Sequence, residues 1–275
     1  MSGADRQWEL NRLNFEGCWQ GPSHWYLRRE QCGSTDGLTF DRPDRVIDDT
    51  RYAISFSDAD SGVWEGSGLL FAPEGRRRLD LTRLGYNQSG SCWQFAGCGG
   101  QSSLVVDPQA GRFGHEINVF QGRSRSMLIL LWDRPTPAEP SPWRLAAVAA
   151  VAFRCSRSEN QEPPRLAISA EQLLAGVEGW HGRCEALVPG DWPASDPPPE
   201  PSEPFATSRF GSSGCCVALA DRLVFAVPEQ LPQGAFRLEA GCLLTPQRFQ
   251  QISLCYDAAQ RLTRIERRCF SPAAG

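Results

Sequence analysis

The sequence predicts a mainly β fold: two consecutive antiparallel β-barrel-like domains, the second smaller, with a few short helices. Three observations carry this. Short segments alternate apolar and polar residues with period two, as in Tyr52, Ile54, Phe56 and in Phe113, His115, Ile117, Val119. Strands that are apolar on one face belong to antiparallel sheets. Turn signals such as Ala72-Pro-Glu-Gly75 and Tyr256-Asp-Ala-Ala-Gln260 separate the strands at short intervals, the spacing of a barrel or sandwich. Finally, a helical pattern followed by Glu-Gly and a tryptophan occurs twice, ending at Trp19 and at Trp180, as if two domains opened in the same way.

In chain order, Asp5 is placed to cap a short helix carrying Trp8, Leu10 and Leu13. Strands are expected over 19–27, 52–56, 63–71, 77–84, 92–95, 104–107, 113–119, 126–132 and 143–154. The alanine-rich run 145–153 could be helical, but its valines and the spacing of Leu145, Val151 and Phe153 favour a strand. Ser169 and Gln172 form a capping-box pattern ahead of Leu173, Leu174 and Val177, which starts a second helix. Further strands are expected over 180–188, 222–227, 236–244, 252–256 and 262–269. The Glu162-Pro-Pro164 stretch divides the chain into a first domain, 1–157, and a second, 165–275. The run 134–142 reads as a loop of the first half, and the proline-rich stretch 189–204 as an extended or mobile insertion in the second.

Composition narrows the function. All 28 basic residues are arginine and the chain has no lysine, which removes Schiff-base chemistry and the Walker A lysine. With 32 acidic residues the net charge is −4, the wrong sign for a nucleic-acid binder. Three histidines, His24, His115 and His181, are few for a multi-histidine metal site, and no C-x-x-C occurs, so no metal is expected. His181 and Cys184, three apart on a strand, would face opposite ways. No nucleophile elbow or dinucleotide fingerprint is present, so no catalytic residue is assigned. The eleven cysteines are odd in number and no secretory apolar region opens the chain, which predicts reduced thiols, no membrane span and a cytoplasmic location.

Gly17-x-Trp19 after a short helix resembles the opening signature of the lipocalin (calycin) superfamily. The resemblance implies that Trp19 plugs one end of a barrel and that an arginine from a late strand, here Arg154, packs on its ring. In the second half Trp180 would be covered by Arg267 or Arg268. Together with Glu65, Gly66 and Gly68, Leu231-Pro-x-Gly234, Leu238-Glu-Ala-Gly241 and Tyr256-Asp257, the chain looks like a two-domain cyanobacterial and plastid family of unknown function. It departs from that pattern in the second half, which lacks the full Gly-x-Trp spacing and carries the proline insertion. The family is distantly similar to phycobiliprotein lyases, which hold an open-chain tetrapyrrole and deliver it to a cysteine. That similarity implies a bilin as cofactor and a phycobiliprotein as partner.

Function is then expected to be binding of a hydrophobic small molecule inside the first barrel. His115 shares a face with Phe113 and Ile117, which should point inward with Trp64 to line a cavity, although a histidine satisfied within a packed core is the commoner outcome. Arg123 and Arg125, with Arg77 and Arg83, could place a guanidinium at the barrel mouth for a ligand carboxylate, against the plainer reading of a solvated rim. A bilin lyase or isomerase, and a protein–protein adaptor with fully packed barrels, are the alternatives.

Overall fold

Ser2 and Asp5 cap each other: the Ser2 hydroxyl accepts from the Asp5 N–H and the Asp5 carboxylate accepts from the Ser2 N–H. This fixes the start of helix α1 (Gly3–Phe15), with Asp5 at the third helical position rather than at the cap. The computed structural model describes residues 2–28, 37–134, 142–156, 158–159, 162–211 and 214–273. Most of the expected 134–142 loop lies outside them.

After α1 come β1 (Gly17–Leu27), β2 (Arg45–Phe56), β3 (Ser61–Ser67), β4 (Arg76–Thr82), β5 (Cys92–Phe95), β6 (Cys98–Ser102), β7 (Arg112–Gln121), β8 (Ser124–Asp133) and β9 (Arg144–Cys155). They make one antiparallel sheet in the order β4-β3-β2-β1-β9-β8-β7-β6-β5. The alanine-rich run is the central strand β9, paired along its length with β1 and β8. Its small side chains let the neighbouring layers approach closely. Helix α2 (Ala170–Ala175) starts at the predicted Ser169–Gln172 box, with both of its bonds made. There follow β10 (His181–Leu187), β11 (Glu200–Ser202), helix α3 (Thr207–Phe210), β12 (Cys215–Ala218), β13 (Leu223–Val227), β14 (Phe236–Thr245), β15 (Arg248–Tyr256) and β16 (Leu262–Ser271). These strands form a second antiparallel sheet, β11-β10-β16-β15-β14-β13-β12.

The two expected barrel-like units correspond to two curled antiparallel sheets. In the first sheet β4 and β5 are edges that do not pair with each other, so the sheet curls into a half-barrel. One face gathers Phe15, Trp19, Tyr52, Ile54, Met127, Val151 and Phe153. Its opposite face shares a continuous core with the second sheet, in which Phe113, Ile117, Leu128, Leu130 and Trp132 meet Phe225, Leu238, Ile252, Leu254 and Tyr256. A third cluster, Leu173, Leu174, Val177, Phe205, Phe210, Phe249 and Phe270, lies on the far face of the second sheet. The layering from one side to the other is hollow, first sheet, shared core, second sheet, helical cover. Sheets bury one face against another element as a rule; here the first sheet buries both, so the period-two pattern of β7 and β8 is partly filled in with apolar residues.

Three other expectations change. The segment 104–107 contributes only a bridge between Val105 and Arg261. Strands β6, β11 and β12 were not anticipated. The proline-rich insertion is anchored: Trp192 packs on the shared core, Asp196 pairs with Arg6 of α1 at 2.8 Å, and β11 adds to β10. Pro201 is accommodated because β11 is an edge strand. No helix among the described residues is long and apolar enough to cross a membrane.

Candidate ligand site in the half-barrel

Trp19 is fully buried at one end of the half-barrel, its indole N–H donating to the Phe15 carbonyl at 2.7 Å. The arginine over its ring is Arg123, from the β7–β8 turn, with the guanidinium carbon 4.6 Å from the ring centroid. Arg123 also donates to the Glu16 carbonyl and the Cys155 thiol. Gly17 makes this approach possible. Its φ is +140°, and a Cβ there would come within 2.3 Å of the guanidinium, so the motif glycine serves the arginine as much as the turn.

Arg154, the expected partner of Trp19, points the other way. Phe153 and Cys155 belong to the Trp19 cluster, so alternation along β9 sends Arg154 to the face toward the second sheet. There it pairs with Asp221 at 2.7 Å. Trp180 is half-buried against the third cluster, and neither expected arginine covers it. Arg267 stacks on Phe95 and binds Glu185, while Arg268 pairs with Glu266.

The same parity argument relocates the expected ligand wall. Phe113, His115 and Ile117 do point inward, but into the shared core. His115 sits edge-on to Phe113 and Trp132, and neither ring nitrogen has a partner. The hollow lies on the other side of β7 and β8, where Glu116, Asn118, Arg125, Met127 and Ile129 project. With Phe15, Trp25, Tyr52, Trp64, Leu69 and Phe71 they line a cavity of about 760 Å3, within the usual size range of small-molecule sites. Phe71, part of this lining, is largely exposed. Trp64 and Arg125 are therefore at the hollow, Arg123 lies over Trp19 outside its lining, and the other three are behind its wall.

Arg125 is the chemically distinctive group. It is 1% exposed, and Phe15, Phe153 and Tyr52 surround the guanidinium with ring centroids at 4.7, 5.0 and 5.1 Å. Such contacts contribute about 0.5–2 kcal/mol each, more where water is excluded. Burial pulls its pKa down, opposed by the Glu116 charge, and an arginine in this state remains protonated. Its Nε donates to Asn118 Oδ1 at 2.7 Å and Nη2 lies 3.3 Å from Glu116 Oε1. Tyr52 packs edge-to-face with Trp64 at 5.0 Å, and burial raises its hydroxyl pKa, so it stays neutral. Glu116 and Asn118 escaped the sequence reading although a signal existed: two polar residues on the face opposite His115, in register with the Arg125 strand.

A second hollow of about 590 Å3 lies on the second sheet under 197–206, walled by Arg237, Glu239, Arg264, Glu266 and Arg268. Its charges are mutually satisfied: Arg237, Arg264 and Arg268 each reach Glu266 at 2.6–2.7 Å. Burial pushes the Glu239 carboxyl up, against the pull of Arg237. Among the described residues no group of three or more His, Cys, Asp or Glu is arranged to hold a metal, and no disulfide joins any two of the ten described cysteines.

Fold and site together define a half-barrel protein whose curled sheet is backed by a second sheet and carries an aromatic hollow with a buried arginine at its floor. The fold is shared with a protein of unknown function from Nostoc punctiforme, assigned to the DUF3598 family, with a TM-score of 0.68 at 14% identity, covering 97% of this chain and 99% of that one. A candidate outer membrane protein of Bacteroides fragilis aligns over 98% of this chain and 100% of its own, with a TM-score of only 0.25 at 8% identity. No family model matches the sequence, and no curated protein matches it.

Proposed function

We propose that this protein binds a flat, largely apolar small molecule in the hollow of the half-barrel. The supporting observation is the 760 Å3 aromatic-lined cavity with Arg125 buried at its floor. A cavity mostly apolar with a few convergent polar groups is the usual form of such a site. The second sheet then acts as scaffold, since its contact with the half-barrel is solid core.

A lipocalin-like mode of use, with the ligand entering past Phe71, belongs to the same proposal. So does an open-chain tetrapyrrole as the ligand and a phycobiliprotein as its recipient, because a conjugated, flat molecule matches the rings of Tyr52, Trp64 and Trp25. The lyase alternative gains nothing from His115, which lies in the packed core.

The test is a titration of the full chain with the neutral dye Nile red and, separately, with biliverdin. Saturable dye fluorescence at one site per chain, lost on filling the hollow by Ile129→Trp, supports binding. An absorbance shift of biliverdin, also lost in that variant, supports the tetrapyrrole. Absence of saturable dye binding to folded protein defeats the proposal.

A further inference from the structure

Resting on that reading, we propose that the floor of the hollow recognises a neutral amide-type edge, a carbonyl oxygen flanked by an N–H, through Arg125 and Glu116. The argument starts from unspent hydrogen-bonding capacity. The Arg125 side chain is 1% exposed, yet its Nη1 is a buried nitrogen with no partner. Nε is taken by Asn118, and Nη2 by Glu116 and, at 3.5 Å, the Met127 sulfur. The guanidinium faces are covered by Phe15, Tyr52 and Phe153, so an acceptor can reach it only at its edge. Both Arg125 and Glu116 line the cavity. A buried donor left open in this way asks for an acceptor.

Glu116 supplies the complementary half. Its Oε1 accepts from both Asn118 Nδ2, at 2.9 Å, and Arg125, whereas Oε2 makes no hydrogen bond. The carboxylate is about one-third exposed, on the cavity side. A free donor on Arg125 thus lies beside a free acceptor on the group it is paired with.

Charge decides which ligand fits. Arg125 and Glu116 already sum to zero. A ligand carboxylate would place a second negative charge beside Glu116 with the same single guanidinium to answer it, in surroundings where charges are poorly screened. A carbonyl oxygen takes Nη1 without that repulsion, and an adjacent N–H fills Oε2. Flat molecules with a lactam, primary amide or imide edge carry both groups side by side. This reverses the expectation that arginine here selects a carboxylate.

The experiment compares two ligands with the same rings: 2-naphthamide and 2-naphthoate, each displacing the neutral dye Nile red from the full chain at neutral pH. The amide is expected to displace the dye at an at least tenfold lower concentration. In Glu116→Gln, which removes the competing charge and keeps the size of the side chain, the gap should close to within about threefold, chiefly by a gain in naphthoate. Equal or tighter displacement by naphthoate in the unmodified protein overturns the inference while leaving cavity binding intact. An unchanged preference in Glu116→Gln overturns the role given to Glu116. If the dye itself fails to bind, the cavity reading falls and this inference with it, an outcome separable from the other two.

Discussion

Asp221 of the second sheet's β12–β13 connection places its carboxylate 2.7 Å from Arg154, on the last strand of the half-barrel. The same carboxylate accepts from Ser126 and from the Arg165 backbone N–H, with the Arg165 guanidinium 3.4 Å away. Asp221 is 1% exposed. Burial would push its carboxyl pKa up, but bonds from Arg154 and Ser126 and the two guanidinium charges outweigh it and hold the group below the usual carboxylate range. This joins the half-barrel, the linker and the second sheet at one buried point.

Removing the charge at that point should be costly. Asp221 has φ +61°, a conformation asparagine tolerates, so Asp221→Asn isolates the electrostatics from backbone strain. It leaves Arg154 and Arg165 without their counter-charge, and breaking a buried pair in this manner costs about 3–5 kcal/mol. Urea unfolding should show that loss in a single transition, because the shared core couples the sheets. A change below about 1 kcal/mol would contradict the account.

The Trp19 stopper gives a coupled pair. Arg123→Ala removes the cation over the indole, for about 0.5–2 kcal/mol. Gly17→Ala imposes a side chain at φ +140°, and strain of this type costs about 1–3 kcal/mol. Since the added Cβ meets the Arg123 guanidinium, the double variant should lose less than the sum of the single losses. Thermal melts of the four proteins measure this, and strict additivity would show that the two positions do not interact.

Helix α1 is fastened to the β5–β6 hairpin by polar side chains. Asn14 donates to the Phe95 carbonyl and to Gln94 Oε1, both at 2.9 Å, and accepts from the Gly97 N–H at 2.9 Å. Asn14→Leu strands those groups in a buried setting, at about 1–3 kcal/mol for each unsatisfied group. Hydrogen exchange should report it locally: the Gly97 amide is expected to exchange faster than amides of β8 and β9, relative to the unmodified chain. Equal protection would mean the helix is held by its apolar contacts alone.

Strand identity was legible where alternation was clean, as at Tyr52–Ile54 and along β14 and β15, and the capping box at Ser169 located α2. The side of the sheet that is hollow was not legible. Both faces of β7 and β8 are buried, so Phe113, His115 and Ile117 look like a ligand wall and a packed interface equally well; only the pairing of the second sheet decides. Arg154 failed for a related reason, since register along β9 is set by contacts with β1 and β8 that no local pattern states. The strands missed, β6, β11 and β12, are short and rich in glycine, proline or cysteine, residues whose strand content comes from neighbours rather than from propensity.

His115 makes acid stability measurable at one residue. It is 2% exposed, ringed by Phe113, Trp132 and Tyr256, with no partner for either nitrogen. Burial pulls its pKa down from 6.5 to about 3. Between those values the unfolded chain binds a proton at this residue that the folded chain does not. Stability is therefore complete above about pH 6.5 and falls with decreasing pH, by about 1.4 kcal/mol per pH unit from this residue alone. His115→Leu, close in volume and without the orphaned nitrogens, should remove that contribution. Other groups titrate in the same range, so the difference between the two proteins is the informative quantity. Urea midpoints at pH 7 and pH 5 should diverge, the variant gaining about 2 kcal/mol over the unmodified chain at the lower pH. Parallel pH profiles would mean that the imidazole finds a proton acceptor or water in the core.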